Sequence, residues 1–118
     1  MQGNIFSGQP LFAQALELIK RSWVDSIAKK HRTDRYYKHF RTYEHLVAML
    51  FAVCSGSTSL RALSLGLLAG RSRIAHFGLS HVPRRSTISD ANKNRSSTVF
   101  AEIYQELYRR LAPTLPDR

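Results

Sequence analysis

The chain has 118 residues, 43% of them apolar, which suits one compact domain with a single core and leaves little room for two. Eighteen Lys and Arg against eight Asp and Glu give a formal charge of +10, and thirteen of the cations are Arg, the side chain that grips phosphate with a bidentate fork. The single cysteine, Cys54, excludes an intramolecular disulfide, and the longest apolar run, Leu46 to Cys54, has nine residues, well short of the roughly 20 that cross a bilayer as a helix.

Apolar residues recur at Phe12, Leu16, Ile19, Trp23 and Ile27, steps of three and four that place them on one face of one long helix or of two. Pro10 suits a first helical position, and Ser22-x-x-Asp25 has the form of a capping box, which puts a possible break near Arg21. A second segment follows Thr42 and runs through Leu46, Val47, Met49, Leu50, Phe51 and Val53 with almost no polar interruption, the pattern of a helix buried on most sides. Cys54 reads as a small core residue within it. Ser55-Gly56-Ser57 ends that helix.

From Ser59, Leu60, Leu63, Leu67 and Leu68 form an amphipathic helix stopped by Gly70, which suits a left-handed C-terminal cap. A short helix is expected from about Ser72 to Phe77, ended in the same way by Gly78, and Pro83 keeps the next connection from becoming helical. Thr87-x-x-Asp90 matches the capping-box pattern and opens a helix of high polar content. Phe100, Ile103, Tyr104, Leu107 and Leu111 form the apolar stripe of the last helix, which Pro113 ends.

No run alternates as a half-buried strand does, and there is no Asn-Gly or Asp-Gly hairpin signal. The fold expected is all-α: a compact bundle of five to seven helices containing a helix-turn-helix-like unit. Residues 1–112 form the helical domain and residues 113–118 a tail or the start of a linker. The N-terminus has no basic residue ahead of an apolar stretch and no cleavage pattern, so no membrane is expected and a cytoplasmic location follows by default.

Ser72 to Arg95 is the most informative stretch: short helix, Gly78, a turn through His81-Val82-Pro83, then a polar helix preceded by Arg84 and Arg85. That order fits a helix-turn-helix. At 100° per residue Ile88 and Ala91 face one way, and Ser89, Asp90, Lys93 and Asn94 the other. Lys donates to guanine, Asn bonds adenine at two points and Ser reaches a base or a phosphate, so Ser89, Lys93 and Asn94 are residue types that read double-stranded DNA. Arg84, Arg85, Ser86 and Thr87 lie at the helix start, where free N–H groups and the dipole favour a phosphate. The plainer reading keeps Thr87 and Asp90 as caps, and Arg95, toward the Ile88 face, as an internal ion pair.

A second basic stretch, residues 29–41, interleaves cations with aromatics. Lys29, Lys30, Arg32, Arg35, Lys38 and Arg41 suit contacts along a DNA backbone. Lys29 and Lys30 equally suit a helix C-terminus, and Tyr36, Tyr37 and Phe40 suit packing better than stacking on bases. The five histidines and one cysteine show neither His-Glu-x-x-His nor paired-Cys spacing, the eight acids are scattered, and no Gly-rich phosphate loop exists. No metal, cofactor, small-molecule substrate or catalytic residue is expected.

Ser59-Leu60-Arg61, His76-Phe77-Gly78-Leu79 and, above all, residues 85–95 (Arg-Ser-Thr-Ile-Ser-Asp-Ala-Asn-Lys-Asn-Arg) resemble the N-terminal domain of insertion-sequence transposases of the type-four group. The likeness covers nearly the whole chain, and the Ser-Thr-x-Ser-Asp-Ala-Asn segment is its most specific part. The resemblance implies a helical module that recognises terminal inverted repeats and helps pair subunits, ahead of an RNase H-like domain with a magnesium-binding Asp-Asp-Glu triad. This sequence stops at Arg118, before the family's first catalytic Asp, so no triad residue is carried over and the chain is not expected to be an enzyme. The competing expectation is self-association, in which the last helix, with Tyr104 and Tyr108, pairs transposase subunits or the chain acts as a truncated regulator.

Overall fold

The computed structural model describes residues 9–35 and 38–114, with backbone alone at residues 9–11 and 114. The packing expected of Tyr36 and Tyr37, and the tail beyond Thr114, lie outside the described residues. Among these residues the fold is all-α: α1 (Gln9–Leu18), α2 (Arg21–His31), α3 (Thr42–Ser55), α4 (Leu60–Ala69), α5 (Arg71–Ile74), α6 (Arg85–Asn94) and α7 (Ser97–Leu111). Short 3-10 turns follow α5 (Ala75–Phe77) and α7 (Ala112–Thr114).

Helix α3 is the centre. α1, α2 and α4 all pack on it, α7 closes against α2, and α6 lies on α4. The stripe of α1 and α2 is broken at Ile19 and Lys20, yet Phe12, Ile19, Val24 and Ile27 all reach the same core. Phe12 meets Phe51 of α3 and Phe77 edge to face, with ring centroids 5.7 and 5.0 Å apart, a favoured aromatic geometry. α3 buries Val47 and Ala48 completely. Its last turn does not follow the expectation of burial on most sides, because Val53 is 77% exposed where the helix runs out past its neighbours.

Helix ends show where local patterns mislead. Lys20, extended, is the N-cap of α2, so Ser22 and Asp25 sit inside the helix and form no capping box; Asp25 instead faces Arg21 at 3.6 Å. Likewise α6 begins at Arg85, with extended Arg84 as its N-cap, two residues before the expected start at Thr87. Buried Pro83 holds the chain extended up to that point. Thr87 is therefore not a cap. Gly70 has φ −100°, not left-handed, and joins α4 to α5 directly.

Gly56 and Gly78 do take positive φ, 71° and 97°. Arg32, the C-cap of α2, is the non-glycine residue in that region, with φ 58°, a conformation that costs an L-residue about 1 kcal/mol or more. At Gly78 a Cβ would stand 2.8 Å from the Tyr43 ring, whereas at Gly56 nothing lies within 4 Å. Gly78→Ala should therefore lower stability by roughly 2–4 kcal/mol, and Gly56→Ala by about 1–2 kcal/mol. Equal shifts of the two urea midpoints would show that the Tyr43 contact does not set the difference.

Candidate nucleic-acid interface

Helix α6 is amphipathic in the sense the wheel requires. Ile88 and Ala91 are fully buried, while Arg84, Arg85, Ser86, Asp90, Lys93 and Asn94 are exposed and Thr87 and Ser89 half-buried. No side-chain hydrogen bond caps its first turn. Its leading N–H groups, flanked by two exposed guanidiniums, thus carry the partial positive charge of a helix start. Among the described residues, Arg84, Arg85 and Lys93 have no carboxylate within ion-pair distance, and neither do Lys29, Arg32 and Lys38.

The unit before α6 differs from a compact helix-turn-helix. The order of helix, glycine turn and helix is present, but the first helix is four α-residues plus a 3-10 turn, and residues 78–84 link it to α6. A helix-turn-helix joins its two helices by three or four residues. The packing partner of α6 is α4.

The far end of α6 is fastened by Arg95, whose side chain is entirely buried. Its Nε donates to Thr33 O at 3.1 Å, Nη2 to Phe40 O at 2.8 Å and to Asp34 Oδ1 at 3.4 Å, and Nη1 to His45 Nδ1 at 3.0 Å. Arg95 is thus an internal ion pair and not a DNA contact. A guanidinium only donates, so His45 Nδ1 is an acceptor; the proton is on Nε2, which donates to Asn92 Oδ1 at 2.6 Å. Burial and the neighbouring Arg95 charge lower the His45 pKa from 6.5, against the opposing pull of Asn92. Asp34 also accepts from the Thr42 N–H at 2.5 Å and the Thr42 hydroxyl at 2.7 Å, capping α3 from outside it, while Glu44 accepts from the Arg41 N–H at 2.8 Å. The sequence reading missed His45 and this use of Asp34. The available signal was Thr42, Glu44 and His45 opening an otherwise apolar helix.

The basic stretch divides. Lys30 turns to α7 and pairs with Glu102 at 3.0 Å, beside His31 Nε2 on the same carboxylate at 2.7 Å; those hydrogen bonds, His31 first, lower the Glu102 pKa. Arg41 lies 3.7 Å from Asp34 and stays half-exposed. Lys29, Arg32, Arg35 and Lys38 are exposed, and Phe40 is buried as expected. Residues 38–41 run beside α6: Arg95 holds the Phe40 carbonyl at one end, and the His39 ring lies 6.2 Å from that of His81, just before Arg84. The 38–41 part of the basic stretch therefore borders α6 at Arg95 and approaches the segment before its start. On α7 the expected stripe is narrower, because Tyr104 is 66% exposed; Tyr108, outside the stripe, is 56% exposed.

No helix among the described residues is long and apolar enough to cross a membrane; α3 and α4 together have the composition but meet at 96°. Residues 7–80 match the model of a family described as a domain of unknown function (DUF4372), and the chain belongs to that family. The match stops before α6, so the polar helix and α7 are described by this structure alone. No curated protein and no solved structure matches the chain.

Arg95→Ala would strip two loop carbonyls of a buried donor and take one of the cations from Asp34, and should cost about 3–5 kcal/mol, read as the loss in denaturant stability. The His45 environment predicts a pH dependence. With its folded pKa below the unfolded value of 6.5, the unfolded chain takes up the proton first as pH falls, so this group's contribution is complete above 6.5 and is lost below it. The melting temperature should fall between about pH 7.5 and pH 5.5, and His45→Gln should flatten that fall. An unchanged slope in the variant would assign the effect to another group.

Proposed function

We propose that this chain is a DNA-binding domain of a DDE-type insertion-sequence transposase, which recognises the terminal inverted repeats of its element through α6. The observation that carries the reading is the outer face of α6: exposed polar residues, Asp90 among them, a start without a side-chain cap, two arginines beside it with no carboxylate partner among the described residues, and a buried apolar back. Arg84, Arg85, Ser86 and Thr87 hold a phosphate at the helix start. Ser89, Lys93 and Asn94 meet base edges in the major groove. The partner is double-stranded DNA, and the role is positioning, without catalysis by this chain. Among the described residues Asp25, Asp34, Glu44, Glu102 and Glu106 are each engaged with a cation or a backbone N–H, and exposed Glu17 and Asp90 lie on different helices.

Exposed Tyr104 and Tyr108, one turn apart on α7, favour a second role in self-association between subunits. The two roles separate in one titration. Arg84→Ala with Arg85→Ala should weaken duplex binding about tenfold or more and lower the slope of log affinity against log salt by roughly two, with the sedimentation profile unchanged. Affinity and slope equal to wild type would remove α6 as the DNA contact.

A further inference from the structure

The C-terminal end of α2 and the segment leading to α3 enclose an open cleft of about 790 Å³, lined by Asp25, Ala28, Lys29, Arg32, Asp34, Arg35 and Arg41. Its four cations are Lys29, Arg32, Arg35 and Arg41. Of its two carboxylates, Asp25 faces Arg21 at 3.6 Å through Oδ2 while its buried Oδ1 has no hydrogen-bond partner, and Asp34 caps Thr42 and binds Arg95 and Arg41. Four cations thus stand against two carboxylates, one of them spent on Arg95 and the α3 cap, and Arg32 is fixed at the cleft by its place as the left-handed C-cap of α2.

We infer that this cleft is a second phosphate-binding site, which holds the DNA backbone at the far end of α6; the inference rests on the DNA-binding reading above. Arg95 follows Asn94, the last residue of α6, and bonds Asp34 in the cleft wall. One end of α6 therefore carries Arg84 and Arg85, and the other abuts the cleft. Ten residues of helix separate the two ends, about 15 Å at 1.5 Å per residue. The major groove is about 12 Å wide. Two cationic anchors at that separation can grip the phosphates of both strands that wall the groove, with Ser89, Lys93 and Asn94 between them. The Arg95 bonds keep the separation fixed, so the two grips act together.

The test is a duplex-DNA titration of the full chain over a salt series, comparing wild type with Lys29→Ala/Arg32→Gly, with Arg84→Ala/Arg85→Ala and with Lys20→Ala, an exposed cation at the opposite end of α2. Arg32→Gly removes the charge while relieving the left-handed backbone, so the melting temperature should hold or rise. The cleft variant should lose about tenfold or more in affinity and about two units of salt slope, and Lys20→Ala far less of either. A cleft variant that matches wild type while Arg84→Ala/Arg85→Ala weakens binding would overturn the cleft and leave the α6 reading standing. If the cleft variant weakens binding and Arg84→Ala/Arg85→Ala does not, the cleft is retained and the helix start loses its role. A wild-type chain that does not bind duplex DNA at all would end both.

Discussion

One buried guanidinium, that of Arg95, ties the irregular segment before α3 to α3 and to the end of α6. Among the described residues of the connection between α2 and α3, Thr33 and Phe40 have carbonyls that no helix satisfies, and buried backbone acceptors without donors are costly. Arg95 supplies donors to Thr33 O and Phe40 O, balances its charge on Asp34, and reaches His45 on the central helix. Asp34 in turn caps α3 through Thr42, whose hydroxyl accepts from Thr33 as it donates to Asp34. A single side chain at the end of α6 thus fixes an irregular loop, the start of α3 and the end of α6. Removing either member of such a buried pair strands the other, which makes the arrangement cooperative in a way surface ion pairs are not.

That lock explains how a helix of poor intrinsic tendency can serve as a rigid surface. Residues 85–94 include Ser, Thr, Asp and Asn, side chains that compete with the helical backbone for hydrogen bonds, and the buried apolar face amounts to Ile88 and Ala91. Packing on α4 fixes one side of α6. On another side Asn92 accepts from His45, and at the end Arg95 is anchored. The outward side chains need contribute nothing to stability and are left available for a partner.

The helical framework was legible because apolar spacing is a property of single elements: the α1, α2 and α7 stripes, the turn at Gly56 and the left-handed Gly78 all follow from local rules. The misread positions share a cause. Ser22-x-x-Asp25 and Thr87-x-x-Asp90 have the composition of a capping box, but a cap requires extended backbone at its first residue, and that backbone belongs to Lys20 and Arg84. The inward turn of Arg95 could be read from the Ile88 face of its helix. Its partners could not, since Thr33, Asp34, Phe40 and His45 lie at least 50 positions away in sequence. The outward set on α6 was readable for the same reason the stripes were. The cleft required the fold, because it forms only when the end of α2 and the entry to α3 are drawn together.

Net charge alone would attract DNA to any face, so the distribution of carboxylates decides where attraction is focused. Glu102 neutralises Lys30 and sits on His31 between α2 and α7, and Glu106 holds Arg109 and Arg110 on α7. Arg110 also lies over the Trp23 ring at 5.2 Å. On the α2–α7 side two carboxylates thus stand against Lys30, Arg109 and Arg110 and offset most of their charge. Along the border of α6 Asp34 is spent on Arg95 and on the α3 cap and exposed Asp90 is the acid on the helix itself, while among the described residues Arg84, Arg85, Lys93, Arg32 and Lys38 have no carboxylate within ion-pair distance. Interactions between exposed charges fade beyond about 8 Å at physiological salt. A polyanion close to this surface therefore responds to that local imbalance more than to the +10 of the whole chain, and the imbalance is greatest around the helix whose outer side chains suit base recognition.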